Sequence, residues 1–258
     1  MILHLSDLHF GTEQQDCLDA IIHFVAEHLI EAVVVSGDLT QRARFSQFYH
    51  CKKFLEELNV PYIVIPGNHD IPLFHLWRRF LSPFHRYKLF FGEMEQTLET
   101  EHFYIIGINT IHPKYHTKGR ITEFQIQEIN QKMKLAPQDK LKILLTHQPF
   151  YSGDHGINMS KDRPKNTEKA LKTWASSGLN AILHGHLHVS AVYDLNKIFQ
   201  LNAQHPILDI HAGTATSHRL HQDFSNSFNL IDEKLKVREY RFDSRFKKFY
   251  LVANRNEG

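Results

Sequence analysis

Ile2-Leu3-His4-Leu5-Ser6-Asp7-Leu8-His9 joins a short apolar strand directly to a carboxylate and an imidazole. The same arrangement returns four times along the chain. The run Ala32–Val35 leads into Gly37-Asp38, residues 62–65 into Gly67-Asn68-His69-Asp70, Leu141–Leu145 into Thr146-His147, and residues 181–183 into Gly185-His186-Leu187-His188. Short continuous apolar runs of this kind read as buried strands. Helical spacing fills the intervals. Residues 13–30 carry Leu18, Ile21, Ile22, Val25 and Leu29, and further helices are read over 42–58, ended by Pro61, and over 122–135 and 165–176. Residues 103–108 read as one more strand. Strands alternating with helices predict an α/β chain with a largely parallel sheet and helices outside it. From Val189 onward strands dominate, at Ala191–Asp194, 207–211, 228–231 and 236–242, which predicts a second, partly antiparallel sheet. The simplest organisation is one domain over 1–258 with a helical insertion at 71–100.

Composition narrows the function classes. The 258 residues include 42% hydrophobic and 22% charged residues, a globular balance. Thirty basic residues against 28 acidic ones leave +2, too little for a chain-wide field that would attract nucleic acid or an anionic membrane. No apolar run approaches the ~20 residues that span a bilayer. Cys17 and Cys51 are the only cysteines, so a disulfide framework is excluded. A strand begins at Ile2 with no secretory leader before it, and a cytoplasmic protein is expected. Histidine is the abundant residue, 20 in all, and imidazole binds metals and moves protons near neutral pH.

The five blocks share a position as well as a composition. Each follows a strand, and in open α/β sheets ligands bind beyond the carboxyl ends of the strands. Asp7, His9, Asp38, Asn68, His147, His186 and His188 offer four imidazoles, two carboxylates and one amide oxygen. That mixture suits Zn²⁺, Fe or Mn²⁺ better than Ca²⁺ or Mg²⁺. Seven side chains exceed one ordinary zinc site but suffice for two ions if a carboxylate bridges them. Singly, Asp-x-His and Gly-Asp are ordinary loop chemistry. Together, in order and each at a strand end, they predict a dinuclear centre.

With these blocks the chain resembles the calcineurin-like metallophosphoesterase superfamily, whose motifs are D-x-H, GD, GNH(D/E), H and GH-x-H, over Asp7 to His188. The resemblance implies a four-layer αββα sandwich with two mixed β-sheets. It implies that Asp38 bridges two metal ions, that Asp7, His9 and His188 complete one site, and that Asn68, His147 and His186 complete the other. Gly-Asn-His-Asp and Gly-His-Leu-His further resemble the bacterial class III cyclic-nucleotide phosphodiesterases and related phosphohydrolases.

The reaction expected is in-line attack on phosphorus by a hydroxide bridging the metals. Two divalent ions, two carboxylates and that hydroxide leave one net positive charge, which favours an anionic ester. His69 matches the family's proton donor to the leaving alcohol. The alternative role is a hydrogen bond that orients the phosphate. Three positions after Asp38, the superfamily's serine/threonine phosphatases carry an Asp and its purple acid phosphatases a Tyr; this chain has Gln41. No tyrosinate colour is therefore expected, and Asp70 or a backbone carbonyl is left to orient His69. Arg42, His218 and Arg219 are candidate phosphate contacts, as is the loop 150–164 with Gly153, Asp154, His155, Gly156 and Arg163. The segment 71–100 is read as a lid, a homodimer surface or a helix packed on the core. A small phosphodiester such as a cyclic nucleotide is the expected substrate, with a phosphomonoesterase or nuclease as alternatives in the same class. A protein-binding scaffold without catalysis is the alternative from another class. It should lack ligands or the proton donor, and none is missing.

Overall fold

A computed structural model describes residues 1–115, 117–153, 162–220 and 225–255. The chain runs β1 (Ile2–Leu5), α1 (Gln15–Glu27), β2 (Ala32–Val35), α2 (Phe45–Glu57), β3 (Tyr62–Val64), α3 (Leu76–Leu81), α4 (His85–Phe91), β4 (Gln96–Glu99), β5 (Phe103–Gly107), α5 (Glu123–Leu135) and β6 (Leu141–Leu145). It continues with α6 (Thr167–Ala175), β7 (Leu179–His184), β8 (Ala191–Asp194), α7 (Leu195–Phe199), β9 (Leu208–His211), β10 (Ser227–Ile231), β11 (Val237–Asp243) and β12 (Lys248–Asn254).

Two six-stranded mixed sheets result, ordered β12-β11-β10-β1-β2-β3 and β4-β5-β6-β7-β9-β8. Their facing sides carry Ile2, Val34, Ile63, Ile105, Ile143, Leu183 and Ile210, which form the central core. Strand alternation sends the other side chains outward. Leu3, Leu5 and Val33 of the first sheet pack under α1 and α2 with Leu18, Ile21 and Phe48. Ile106, Leu144 and Ile182 of the second sheet pack under α5 and α6 with Ile126, Ile129 and Trp174. The order is therefore helices, sheet, sheet, helices. Trp174 is fully buried, and its indole N–H donates to the Ile126 carbonyl at 3.0 Å, tying α6 to α5. Thr122 caps α5 by accepting from the Gln125 N–H at 3.2 Å.

Two expectations need correction. The strand-rich tail does not make a sheet of its own. The strands β10–β12 extend the first sheet as an antiparallel meander whose first strand, β10, pairs antiparallel with β1, whereas β8 and β9 complete the second sheet. The segment 71–100 is helical only as far as Phe91; its last part is β4, an edge strand paired antiparallel with β5. No described helix is long and apolar enough to cross a membrane.

Candidate metal centre

The parallel pairing of β1 with β2 ends at Leu5 and Val35, and the loops beyond remain zipped. Asp7 N–H donates to Gly37 O at 3.1 Å and His9 N–H to Asp38 O at 2.9 Å. Gly37, at φ +95°, lies where a Cβ would strike the His147 ring and the Gly67 backbone. Asp7, His9, Asp38, His186 and His188 all have left-handed φ values, between 47° and 69°. Such conformations cost free energy in non-glycine residues and persist where packing over-determines them, commonly at functional sites.

The seven side chains of the five blocks meet. On one side, His9 Nε2 faces His188 Nε2 at 3.2 Å, and His188 Nε2 lies 3.2 Å from Asp7 Oδ1. On the other, His147 Nε2 lies 3.0 Å from Asn68 Oδ1 and 3.2 Å from His186 Nδ1. Asp38 stands between the groups, with Oδ2 3.8 Å from His9 Nε2 and Oδ1 3.5 Å from His147 Nε2. The triads Asp7-His9-His188 and Asp7-Asp38-His147 each place their ligand atoms within 4.8 Å of one another.

The surroundings prepare these groups as ligands. His147 Nδ1–H donates to Ser36 O at 2.8 Å, and His188 Nδ1–H to Arg219 O at 3.0 Å, so each Nε2 presents its lone pair inward. Asp7 Oδ2 accepts from Ser6 Oγ–H at 2.6 Å and from His186 N–H at 3.0 Å, while the buried Oδ1 has no hydrogen-bond donor among the described residues. Burial pushes the Asp7 carboxyl upward, but His188, His147 and His9 outweigh it and hold it well below the usual range. Burial likewise opposes ionisation of Asp38, and His147, His69 and His9 reverse the balance. His9 is pushed down to about 3 by burial, against Asp38 and Asp7, which keeps its imidazole neutral. Ionised carboxylates, the neutral imidazoles of His9 and His147 and an unsatisfied carboxylate oxygen fit a divalent cation.

His69 lies beside this cluster. Its Nδ1–H donates to the Gln41 carbonyl at 3.0 Å, and its backbone N–H to Asp38 Oδ1 at 2.8 Å. Of the two partners open from the sequence, the backbone carbonyl orients the ring. Asp70 points elsewhere. Its oxygens accept from the N–H groups of Gly67, Leu39 and Thr40 at 2.8–3.0 Å, locking the loop after β3 onto the loop after β2. Arg219 donates from Nη1 to His69 Nε2 at 3.3 Å and to Gln41 Oε1 at 3.2 Å. Arg42 lines a small cleft with Asn68 and His69 and stacks over Phe74 at 5.6 Å. His218 donates its backbone N–H to Thr12 O, and its side chain is exposed. Asp154, His155 and Gly156 lie outside the described residues; Arg163 turns to Glu168, 3.5 Å away.

Two groups escaped sequence reading. Asp162 Oδ2 is 3.7 Å from His186 Nε2, and no motif marks it. Asp209 is fully buried on the outer face of the second sheet, with Oδ1 3.0 Å from His184 Nε2 and Oδ2 3.2 Å from His211 Nε2. It also accepts the Tyr151 N–H at 3.1 Å, so one carboxylate holds the strand before Gly185-His186 and the loop after His147. The Asp-Ile-His alternation at 209–211 was the available signal, because it places both side chains on one face. Burial resists ionisation of Asp209, but His184 and His211 bring it down to about 2. Asp209→Asn is expected to cost roughly 3 kcal/mol, as for a broken buried ion pair, or about 6–12 °C in Tm. The depressed folded-state value means that the carboxylate's contribution is complete above its ordinary 3.8 and is lost as pH falls towards 2. The gap between wild type and variant should therefore close as pH falls below 3.8. A Tm within about 2 °C of wild type at neutral pH, read by circular dichroism, would refute this.

The comparisons with known proteins agree with the geometry. The family model for calcineurin-like phosphoesterases matches residues 1–190. The chain is 25% identical over 166 residues to the 3',5'-cyclic adenosine monophosphate phosphodiesterase CpdA of Escherichia coli, covering 59% of this chain and 56% of that protein. It is 24% identical over 178 residues to the probable glycerophosphodiester phosphodiesterase GpdQ of Arcobacter nitrofigilis, covering 68% and 63%. The matched region is thus less than two thirds of either relative. In fold, the chain is similar to the purple acid phosphatase PPD1 of yellow lupin, with TM-score 0.70 and 13% identity, over 97% of this chain and 52% of that one.

Proposed function

The chain belongs to the calcineurin-like phosphoesterase family, and we propose that it hydrolyses small phosphodiesters with two divalent metal ions. The Asp38 carboxylate carries this reading, because it turns one oxygen towards each half of a seven-residue donor cluster. Asp7, His9 and His188 would hold one ion, Asn68, His147 and His186 the other, and Asp38 would face both. Imidazole with carboxylate suits Mn²⁺, Fe or Zn²⁺. When bound, the pair supplies Lewis acidity and lowers the pKa of water to near 7.

The chain's own residues do the rest. Arg219, held over His69 in the free protein, moves onto the phosphate oxygens, where its planar fork pairs with two of them. That movement frees His69 Nε2 to carry a proton. The Gln41 carbonyl keeps the ring aimed, and Nε2 gives the proton to the leaving alcohol. The printed activities of CpdA and GpdQ support a diester over a monoester. A cyclic nucleotide is the substrate class to try first.

Hydrolysis of bis(p-nitrophenyl) phosphate and p-nitrophenyl phosphate, each with Mn²⁺, tests the reading. Diester turnover should exceed monoester turnover. The reverse preference makes the protein a phosphomonoesterase. No turnover together with failure to take up Mn²⁺, Fe²⁺ or Zn²⁺ makes it a scaffold.

A further inference from the structure

The segment from Ile71 to Gly92 contains Arg78, Arg79, Arg86 and Lys88 and no acidic residue. The chain-wide balance of +2 hides this local concentration. Its helix α3, Leu-Trp-Arg-Arg-Phe-Leu, is inside out. The polar residue Arg79 is buried, donating to the carbonyls of Pro113, Pro72 and Tyr115 at 2.8–3.2 Å. The apolar residues face water instead: Trp77 is 83% exposed, Phe74 78% and Leu81 76%, with Leu76, Phe80 and Leu89 beside them. Nor is the segment loose, since the hydroxyl of the buried Tyr87 donates to Val64 O at 2.9 Å and Arg86 donates to Ala43 O at 2.7 Å. Arg79 and Tyr87 thus pin an apolar face outward, and contiguous exposed apolar surface of this kind marks an interaction site.

We propose that this face docks peripherally on an anionic lipid surface, with Trp77, Phe74 and Leu81 entering the headgroup region and Arg44 and Arg78 paired with lipid phosphates. Lys88 is paired with Glu93 at 2.7 Å, but Arg44 and Arg78 leave the rim basic, and aromatic and aliphatic anchors within a basic rim are what an interfacial lipid contact requires. Two adjoining clefts, of about 310 and 290 Å³, place apolar walls beside those cations: Phe45, Pro83 and Leu89 with Arg78 in one, Leu73 and Phe74 with Arg44 in the other. A second copy of the chain fits less well. A twofold contact through this face would bring two basic rims together, with no carboxylate between Ile71 and Gly92 to offset them. Nucleic acid would use the arginines but not the leucines. Docking by this face also puts the mouth of the metal centre at the lipid surface, because Arg42 and Leu73 line both the second cleft and the cleft at His69.

Trp77 reports directly, since the only other tryptophan, Trp174, is fully buried. The full chain should co-float with vesicles of equimolar phosphatidylglycerol and phosphatidylcholine but not with phosphatidylcholine alone, and Trp77 emission should shift to the blue. Arg44→Gln and Arg78→Gln should each weaken binding about fivefold. Phe74→Ser with Leu81→Ser should abolish the shift, with the circular dichroism spectrum unchanged. Absence of co-flotation, equal binding to neutral vesicles, a concentration-dependent dimer lost in Trp77→Glu, or preferential retention on single-stranded DNA would each overturn the proposal. None of these readouts depends on turnover.

Discussion

Asp38→Asn should leave a folded protein that no longer retains two metal ions and turns over diester at least about 10³-fold more slowly. The substitution keeps the shape of the side chain and removes its charge. Asp38 Oδ1 can still accept the His69 N–H, so the loops after β2 and β3 stay joined by this bond and by Asp70. What is lost is the anionic carboxylate that faces both halves of the cluster, at 3.8 Å from His9 and 3.5 Å from His147. Asp7 remains the only other carboxylate among the donors, and one of its oxygens is already occupied by Ser6 and His186. Metal catalysis at phosphorus contributes several kcal/mol, which sets the thousandfold scale. Elemental analysis after dialysis gives the stoichiometry, and the same sample gives the rate. Two retained ions with turnover within tenfold of wild type would mean that Asp38 is not the shared ligand.

The position of the candidate metal centre was legible because each block directly follows a buried strand. The runs Ile2–Leu5, Ala32–Val35 and Leu141–Leu145 form strands with those bounds, and the crevice lies beyond their carboxyl ends. Sheet membership was not legible. Nothing in the short tail strands β8, β9, β10 and β11 names a sheet, and only long-range pairing sends the first two to one sheet and the others to its partner. The edge strand β12 was missed because five of its seven residues face water, so its pattern carries no core signal. The partner of His69 was invisible for a different reason: a carbonyl is common to every residue, and no side-chain motif can announce the one at Gln41. Arg219 stood among the candidates, but its position over His69 depends on Arg219 O receiving His188 Nδ1–H, a contact made 31 residues away in the chain.

His69→Ala should separate proton donation from phosphate orientation. The side chain faces Gln41 O and Arg219, outside the set of donors that converge on Asp38, so the variant should keep both metal ions. Its ring packs edge-on against His9 at 4.9 Å, a contact whose loss leaves the His9 Nε2 neighbours in place. Loss of a positioned general acid costs about 10²–10⁴-fold when the leaving group needs a proton. An alkoxide from a cyclic nucleotide or glycerol diester needs one; p-nitrophenolate departs without it. The defect should therefore be large on an alkyl diester and small on bis(p-nitrophenyl) phosphate, measured on the same preparation. A group that only orients the phosphoryl oxygens contacts both substrates alike, and its removal slows both by the same factor. Equal losses would assign His69 to orientation and leave the leaving group's proton to water. Loss of an ion would instead make the ring part of the metal shell.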